Sequence, residues 1–446
     1  MLSAAPLLAV VLQLCVTDGS CTAPSPKTTQ SPTTPAAPQQ QPPATQSPNQ
    51  SATDTPPDAG DEDALVRSRR FSRWNEFDGK WASIRIGAGY LIDYGAYDQD
   101  SSSKQQMPDL ESGFKMRDYR MLFRGRFKLL PGRNTTWSAG FMYDNANDQW
   151  LMRQTGINFQ TPGITGSIFI GRQKEGFSMS KIMVGYHGWT LERTLMNDAS
   201  VQLLADGVKW TGYAERARVT WNVGGFGDWF SEKQSFSIAD HQFIGRVAWQ
   251  PILSADGRDL LHLGVAWRYA ASDDGKLQPR SRPEAYKSPY FVDTGKFDAE
   301  STTMTGLEFY YRPGPLTVGS EIMFQNVKAP SNGNPSFHGG DVFMAWNVTG
   351  ETRSYNKVGG YFNAMSPARS VFDGGPGAWE IVTKFSFIDL DSGPITGGRF
   401  WRFTPMVNWH LDDILRLEIA YGYGTLDRFS LSGHTHFFQM RLQTSF

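Results

Sequence analysis

Asp118, Arg120, Arg124, Arg126 and Lys128 follow one another at intervals of two or four residues, and Tyr119, Met121, Phe123 and Phe127 fill the places between them. Side chains two apart fall on one face of a β-strand. The spacing therefore gathers four cations and a single carboxylate into one stripe backed by an apolar one. Guanidinium and ammonium groups ranked along water attract small anions and pass them on. The same alternation over residues 215–223 sets Arg216, Arg218, Thr220 and Asn222 against Ala217, Val219 and Trp221, and Arg246, Arg268, Lys384 and Arg402 also fall on polar faces. Inward anions, of which Glu308 and Glu380 are examples, are fewer. The chemistry expected is a cationic path; the plainer alternative is the charged lumen of any wide pore.

Catalysis is not expected. An outer-membrane lipase or protease needs a nucleophile, a base and an orienting group, and none of the seven histidines lies in a Gly-x-Ser-x-Gly context. His434 and His436 share a face and could take a metal at a strand rim, but such positions also suit an aromatic girdle. No cofactor and no metal are expected, and a net charge of −1 argues against a nucleic-acid partner.

The elements that must position these residues are membrane strands. In the last residues, Phe438, Met440, Leu442 and Phe446 alternate with Gln439, Arg441, Gln443 and Ser445, as a strand between lipid and water requires. A sandwich strand in a soluble all-β protein would alternate in the same way. The period recurs in Ile84/Ile86/Tyr90/Ile92, Leu261/Leu263/Val265/Trp267/Tyr269, Trp379/Ile381/Phe385/Phe387 and Trp401/Phe403/Val407/Trp409. After the N-terminus no apolar run is long enough for a membrane helix, so any spanning is by strands. With 45 glycines for turns and 14 tryptophans for girdles, the expected fold is all-β, an antiparallel transmembrane barrel in a lipid bilayer. At about 22 residues per strand and turn it has about 16 strands, with 18 as the alternative. A barrel of that size leaves an aqueous channel.

The expected organisation is a signal peptide at 1–20, a disordered linker at 21–76 and a barrel domain at 77–446. Leu2 to Val16 has the length of a secretory apolar core, although no Lys or Arg precedes Lys27. Asp18-Gly19-Ser20 lacks the apolar residue expected three positions before a lipid-modified Cys21, and Cys15 and Cys21 are the only cysteines, which leaves the barrel without an internal disulfide. The Pro, Thr, Gln, Ser and Ala that follow cannot bury enough surface to offset ordering. Arg67, Arg69, Arg70 and Arg73 form a short basic stretch that reads as a solvated loop or a contact for phosphate head groups.

From Trp81 to Phe446 the chain resembles the phosphate-selective porins of the O and P type. Gly87-Ala-Gly-Tyr-Leu-Ile-Asp93-Tyr94 is similar to the family's first strand, Gly171-Arg-Gln-Lys-Glu-Gly-Phe-Ser-Met-Ser-Lys181 to its strand-to-constriction segment, and Leu191-Glu192-Arg193 to the turn beyond it. Arg280-Ser-Arg282-Pro-Glu284, Phe291-Val-Asp-Thr-Gly295 and Gly377-Ala-Trp-Glu-Ile-Val-Thr-Lys-Phe-Ser386 are similar to later signatures. The resemblance implies a homotrimer of 16-stranded barrels, each narrowed by an inward loop. Lys181 falls where the family places a central-site lysine, with Arg193 beside it, and Arg280 and Arg282 start an arginine ladder at the mouth. Arg117 matches the first of an arginine pair, although alternation turns it outward unless a bulge shifts register. Asp118 replaces the second arginine, Glu284 stands where the ladder would continue, and Gly89 and Tyr186 occupy positions of Arg and Lys in phosphate-specific members. The expected function is an anion-preferring porin for phosphate or similar small anions. The alternative is a general porin, or one selective for pyrophosphate or organic anions, without a high-affinity phosphate site.

Overall fold

The computed structural model describes residues 74–128, 134–144, 149–160, 165–229 and 239–446. The expected signal peptide, the linker up to residue 73 and the basic stretch from Arg67 to Arg73 lie outside the described residues.

Sixteen antiparallel strands close into a barrel. In chain order they are β1 (Ser83–Gln99), β2 (Gly113–Phe127), β3 (Asn134–Asp144), β4 (Gln149–Met152 with Thr155–Gln160), β5 (Ser167–Gln173), β6 (Ala205–Ala214), β7 (Val219–Gly227) and β8 (Ala239–Leu253). There follow β9 (Asp259–Ser272), β10 (Ser301–Pro313), β11 (Leu316–Lys328), β12 (Ser336–Asn347), β13 (Ala378–Ser392), β14 (Ile395–His410), β15 (Leu415–Arg428) and β16 (Leu431–Ser445). Glu76–Asp78 pairs with the start of β1, as a short extension of the wall. Closure is by β1 on β16, from Gly89 opposite Ser445 to Gln99 opposite Thr435. This leaves no unpaired edge, which a lipid-facing sheet could not tolerate.

Alternation is what makes these segments strands of a membrane wall. Along β9, Val265 and Trp267 are 50% and 47% exposed on the outer face, while Ala266 and Arg268 are 1% and 3% exposed on the inner one. His434 and His436 are on the outer face beside Tyr421 and Tyr423, where the Tyr421 hydroxyl meets His436 Nδ1 at 2.5 Å.

The alternation breaks within β2. Leu91 pairs with Asp118 but Ile92 pairs with Met116, so Arg117 is an extra residue in a bulge of β2. A bulge re-aims the residues beside it. Arg117 consequently joins Asp118 on the inner face, as the resemblance requires.

Three connections fold into the lumen: residues 174–204 between β5 and β6, 273–300 between β9 and β10, and 348–377 between β12 and β13. The first two enter from one end. The third enters from the other, where β1 begins and β16 finishes and where the remaining described turns are short, as at 254–258, 314–315 and 411–414. The first carries two short helices, α1 (Met179–Ile182) and α2 (Leu195–Ser200). Trp189 from it and Phe362 from the third loop meet at 5.0 Å between ring centroids, with Tyr310 and Phe343 of the wall against them. This apolar cluster extends through Met179, Ile182, Met183, Val382 and Met406. It fills the lumen on the side of β10, β12, β13 and β14, while Val184 and Tyr186 of the first loop pack on Leu91 and Leu122 of β1 and β2.

Candidate functional site: the neck and its cations

Most inward cations are not in water at all. Four consecutive carbonyls of the first inward loop are each clasped by a side chain, three from the wall and one, Arg353, from the third inward loop: Tyr186 O by Gln443 Nε2 at 3.0 Å, His187 O by Arg353 at 2.5 Å, Gly188 O by Arg416 at 2.8 Å and Trp189 O by Asn408 at 2.8 Å. Arg441 takes Leu191 O. Elsewhere Lys174 Nζ donates to Met183 O at 2.9 Å, Lys209 Nζ to Lys174 O at 3.0 Å and Arg402 Nη1 to Pro283 O at 2.6 Å. Arg246 reaches Gly360 O of the third loop at 2.9 Å. Five planar donors let one guanidinium hold several loop carbonyls that would otherwise be orphaned inside the barrel.

The clasping cations also carry carboxylates. Arg246 pairs with Glu308 at 2.7 Å, Arg268 with Glu175 at 2.6 Å, Arg172 with Asp206 at 3.1 Å, Arg353 with Glu380 at 3.0 Å, Arg416 with Glu418 at 2.9 Å and Lys384 with Glu284 at 2.7 Å. Acids are thus interspersed among the inward cations, which still outnumber them among the buried residues described. A guanidinium taken out of water requires a counter-charge and hydrogen bonds to offset its desolvation, so a packed lumen recruits acids that a bare lumen would not need.

The stripe on β2 is resolved into parts. Arg120 faces inward but is 4% exposed, bound to Asp118 and covered by the ring of Tyr186, whose centroid is 4.1 Å from its guanidinium carbon. Arg124 is half-buried and Arg126 exposed, both on the inner face, with Arg85 of β1 opposite Arg124. Lys128 is beyond the strand end and pairs with Asp78 at 2.5 Å. Arg216 and Arg218 do not belong to the stripe. They sit in the exposed turn 215–218 between β6 and β7, with Arg218 at φ 53°, and the strand begins only at Val219. Arg-Ala-Arg-Val-Thr alternates as a strand does, but the reversal falls within it.

Lys181 and Arg193 are brought close together but play unlike parts. Lys181 is in α1, 5% exposed, and its ammonium donates to Val201 O at 2.6 Å. Burial, then the neighbouring charge of Arg193, pushes its pKa down to about 7. Arg193 is half-buried, donating to Ser180 O at 2.7 Å and Met183 O at 3.3 Å, and it lines a cavity at the neck. Lys181 does not line that cavity. Arg117, Glu192, Arg441 and Tyr186 do. Glu192 accepts from Arg117 at 2.8 and 3.0 Å and from Arg441 at 2.7 Å, while Asp93 takes Arg441 at 2.6 and 2.7 Å. Burial raises the Glu192 carboxyl, but Arg117 and Arg441 outweigh burial and hold it well below the usual carboxylate range.

Above the neck, the second inward loop carries a ladder of cations on tyrosines that alternation did not reveal. Arg280 and Arg282 lie over Tyr290 at 4.1 and 4.2 Å, and Arg117 and Lys115 over Tyr286 at 4.2 and 4.7 Å, with Arg282 within 5.7 Å of Tyr286. Aromatic faces fix a cation without neutralising it. Glu284, the break in the ladder, is turned instead to Lys384.

The family described as "Phosphate-selective porin O and P" matches residues 84–446. Porin O of Pseudomonas aeruginosa is 22% identical over 217 residues, 42% of this chain and 48% of that protein. An uncharacterized protein of Caulobacter vibrioides is 28% identical over 182 residues, 40% of this chain and 36% of that protein, so the alignments span less than half of either relative. In fold the chain is similar to the anion-selective porin of Comamonas acidovorans, with a TM-score of 0.50 at 12% identity over 82% of this chain and all of that one. It is likewise similar to OmpT, an outer membrane protein of Vibrio cholerae, with a TM-score of 0.51 at 10% identity over 83% and 99%.

Proposed function

Given that the chain belongs to the phosphate-selective porin O and P family and forms an outer-membrane barrel, we propose that its channel passes small anions, phosphate among them, passively into the periplasm. The observation that carries this reading is the sorting of cations by exposure. Those on the filled side of the lumen are buried clasps. Those that keep contact with water run from Arg280, Arg282, Lys115 and Arg117 past Arg193 to Arg124, Arg85 and Arg126 on the β1–β2 side. Short turns gather at the periplasmic end of such barrels, which sets the ladder at the outer mouth and Arg126 at the exit.

Conduction requires stops weak enough to release the ion. Glu192 occupies two of the neck guanidiniums, so the neck favours small anions in general over one tightly held phosphate. The working oligomer is a homotrimer. β5 crosses with 7 residues, which at about 3.3 Å each and a tilt of about 40° reaches about 18 Å, short of the ~25 Å apolar band and in need of a protein neighbour.

The test is a paired charge reversal. Arg124→Glu with Arg126→Glu lowers chloride over potassium permeability in planar bilayers, whereas Lys209→Met, at a buried clasp, leaves it unchanged. Equal effects at both places would remove the β1–β2 path.

A further inference from the structure

We propose that Tyr186 determines what the neck can bind, by covering Arg120 and so withholding from passing ions a guanidinium that borders the cavity. The inference rests on the anion-porin reading above and deepens it. Gly89 and Arg120 are direct partners across β1 and β2. The Tyr186 ring lies against both: a Cβ added at Gly89 would clash with its hydroxyl-bearing edge, and Arg120 stacks on it at 4.1 Å. The ring is 2% exposed and Arg120 4%. Gly89 is therefore the vacancy in the wall that receives the tyrosine, and the two positions act together.

The chemistry follows from this packing. A guanidinium paired with a carboxylate in water still offers its remaining N–H donors to an anion with several oxygens. One sealed beneath an aromatic face does not, and the ring narrows the neck as well. Tyr186 thus makes the neck poor at retaining polyoxyanions while leaving Arg193 to attract chloride and phosphate alike.

Removing the ring does not unmake the loop. Residues 186–189 are held through backbone carbonyls by Gln443, Arg353, Arg416 and Asn408, and none of those bonds uses the phenol.

The experiment is single-channel recording of the full-length protein in chloride, titrated with inorganic phosphate. Wild type shows weak block. Y186A is expected to conduct more and to be blocked at fivefold or more lower phosphate. Y186F keeps the ring and behaves as wild type. The double variant Y186A/R120Q keeps the larger conductance and loses the added block. Block in Y186A no stronger than in wild type, or an added block that survives Arg120→Gln, would overturn the proposal. A cation-selective wild type would instead refute the anion-porin reading, whatever Y186A does.

Discussion

Glu192→Gln should make the channel more anion-selective, because Glu192 is the acid that the neck cavity shares between Arg117 and Arg441. The two guanidiniums hold this carboxyl far below the ordinary range against the opposing push of burial, so it is ionised at every pH at which a bilayer is recorded, and the substitution removes a full charge. A unit charge about 6 Å from a passing ion in a medium like bulk water is worth about 0.7 kcal/mol. Its removal therefore raises anion occupancy about threefold and lowers cation occupancy by the same factor, a change of about tenfold in the permeability ratio. Glutamine keeps a carbonyl for Arg117, and Asp93 still holds Arg441 by two hydrogen bonds, so the neck stays assembled. The assay is zero-current potential across a KCl gradient, at salt low enough that the Debye length exceeds the neck, about 10 Å at 0.1 M. An unchanged ratio would mean that ions do not pass Glu192, and the path along β1 and β2 would be refuted.

Three further outcomes are expected. Arg117→Ala removes the bulge cation and should move selectivity the opposite way, lowering chloride over potassium permeability severalfold in the same measurement. Lys181, with its pKa pushed down to about 7 first by burial and then by Arg193, is protonated below that pH and neutral above it. Its ammonium is buried on Val201 O away from the neck cavity, so the reversal potential should not follow this titration, and Lys181→Met should leave selectivity unchanged as Lys209→Met does. Phe362→Ala deletes a fully buried ring in contact with Trp189. At the about 3–5 kcal/mol typical of buried Phe→Ala changes it should loosen the third inward loop, seen as larger and noisier unit conductance and a lower Tm.

Much of the wall was legible because a lipid-facing strand has a strict period. Val265 and Trp267 against Arg268, or Phe438 and Leu442 against Gln439 and Arg441, leave little freedom of reading. The same period misled where a strand ended. Arg216 and Arg218 keep alternating with Ala217 and Val219 through a reversal, since a tight turn needs no break in composition when Arg218 itself adopts the left-handed conformation. The bulge at Arg117 shifts only one residue and left no trace in composition; the resemblance alone pointed to it.

The largest gap concerned the lumen. Alternation tells which face a cation is on and nothing about what lies across from it. Arg246, Arg402 and Arg416 face inward as parity demands, yet they meet loop carbonyls rather than water. Their partners belong to loops far along the chain, so no local pattern could distinguish a clasp from a conducting cation. Residues 348–377 show the same limit. An average spacing of strands and turns conceals a long connection at the end of the barrel where connections are short.

The sign of the zero-current potential of the purified wild-type channel, in a planar bilayer across a KCl gradient, tests the path most directly. The water-exposed row from Arg282 to Arg126 predicts a potential on the chloride side of zero, with only shallow competition from added phosphate. A potential on the potassium side would contradict the assignment of the path to these cations.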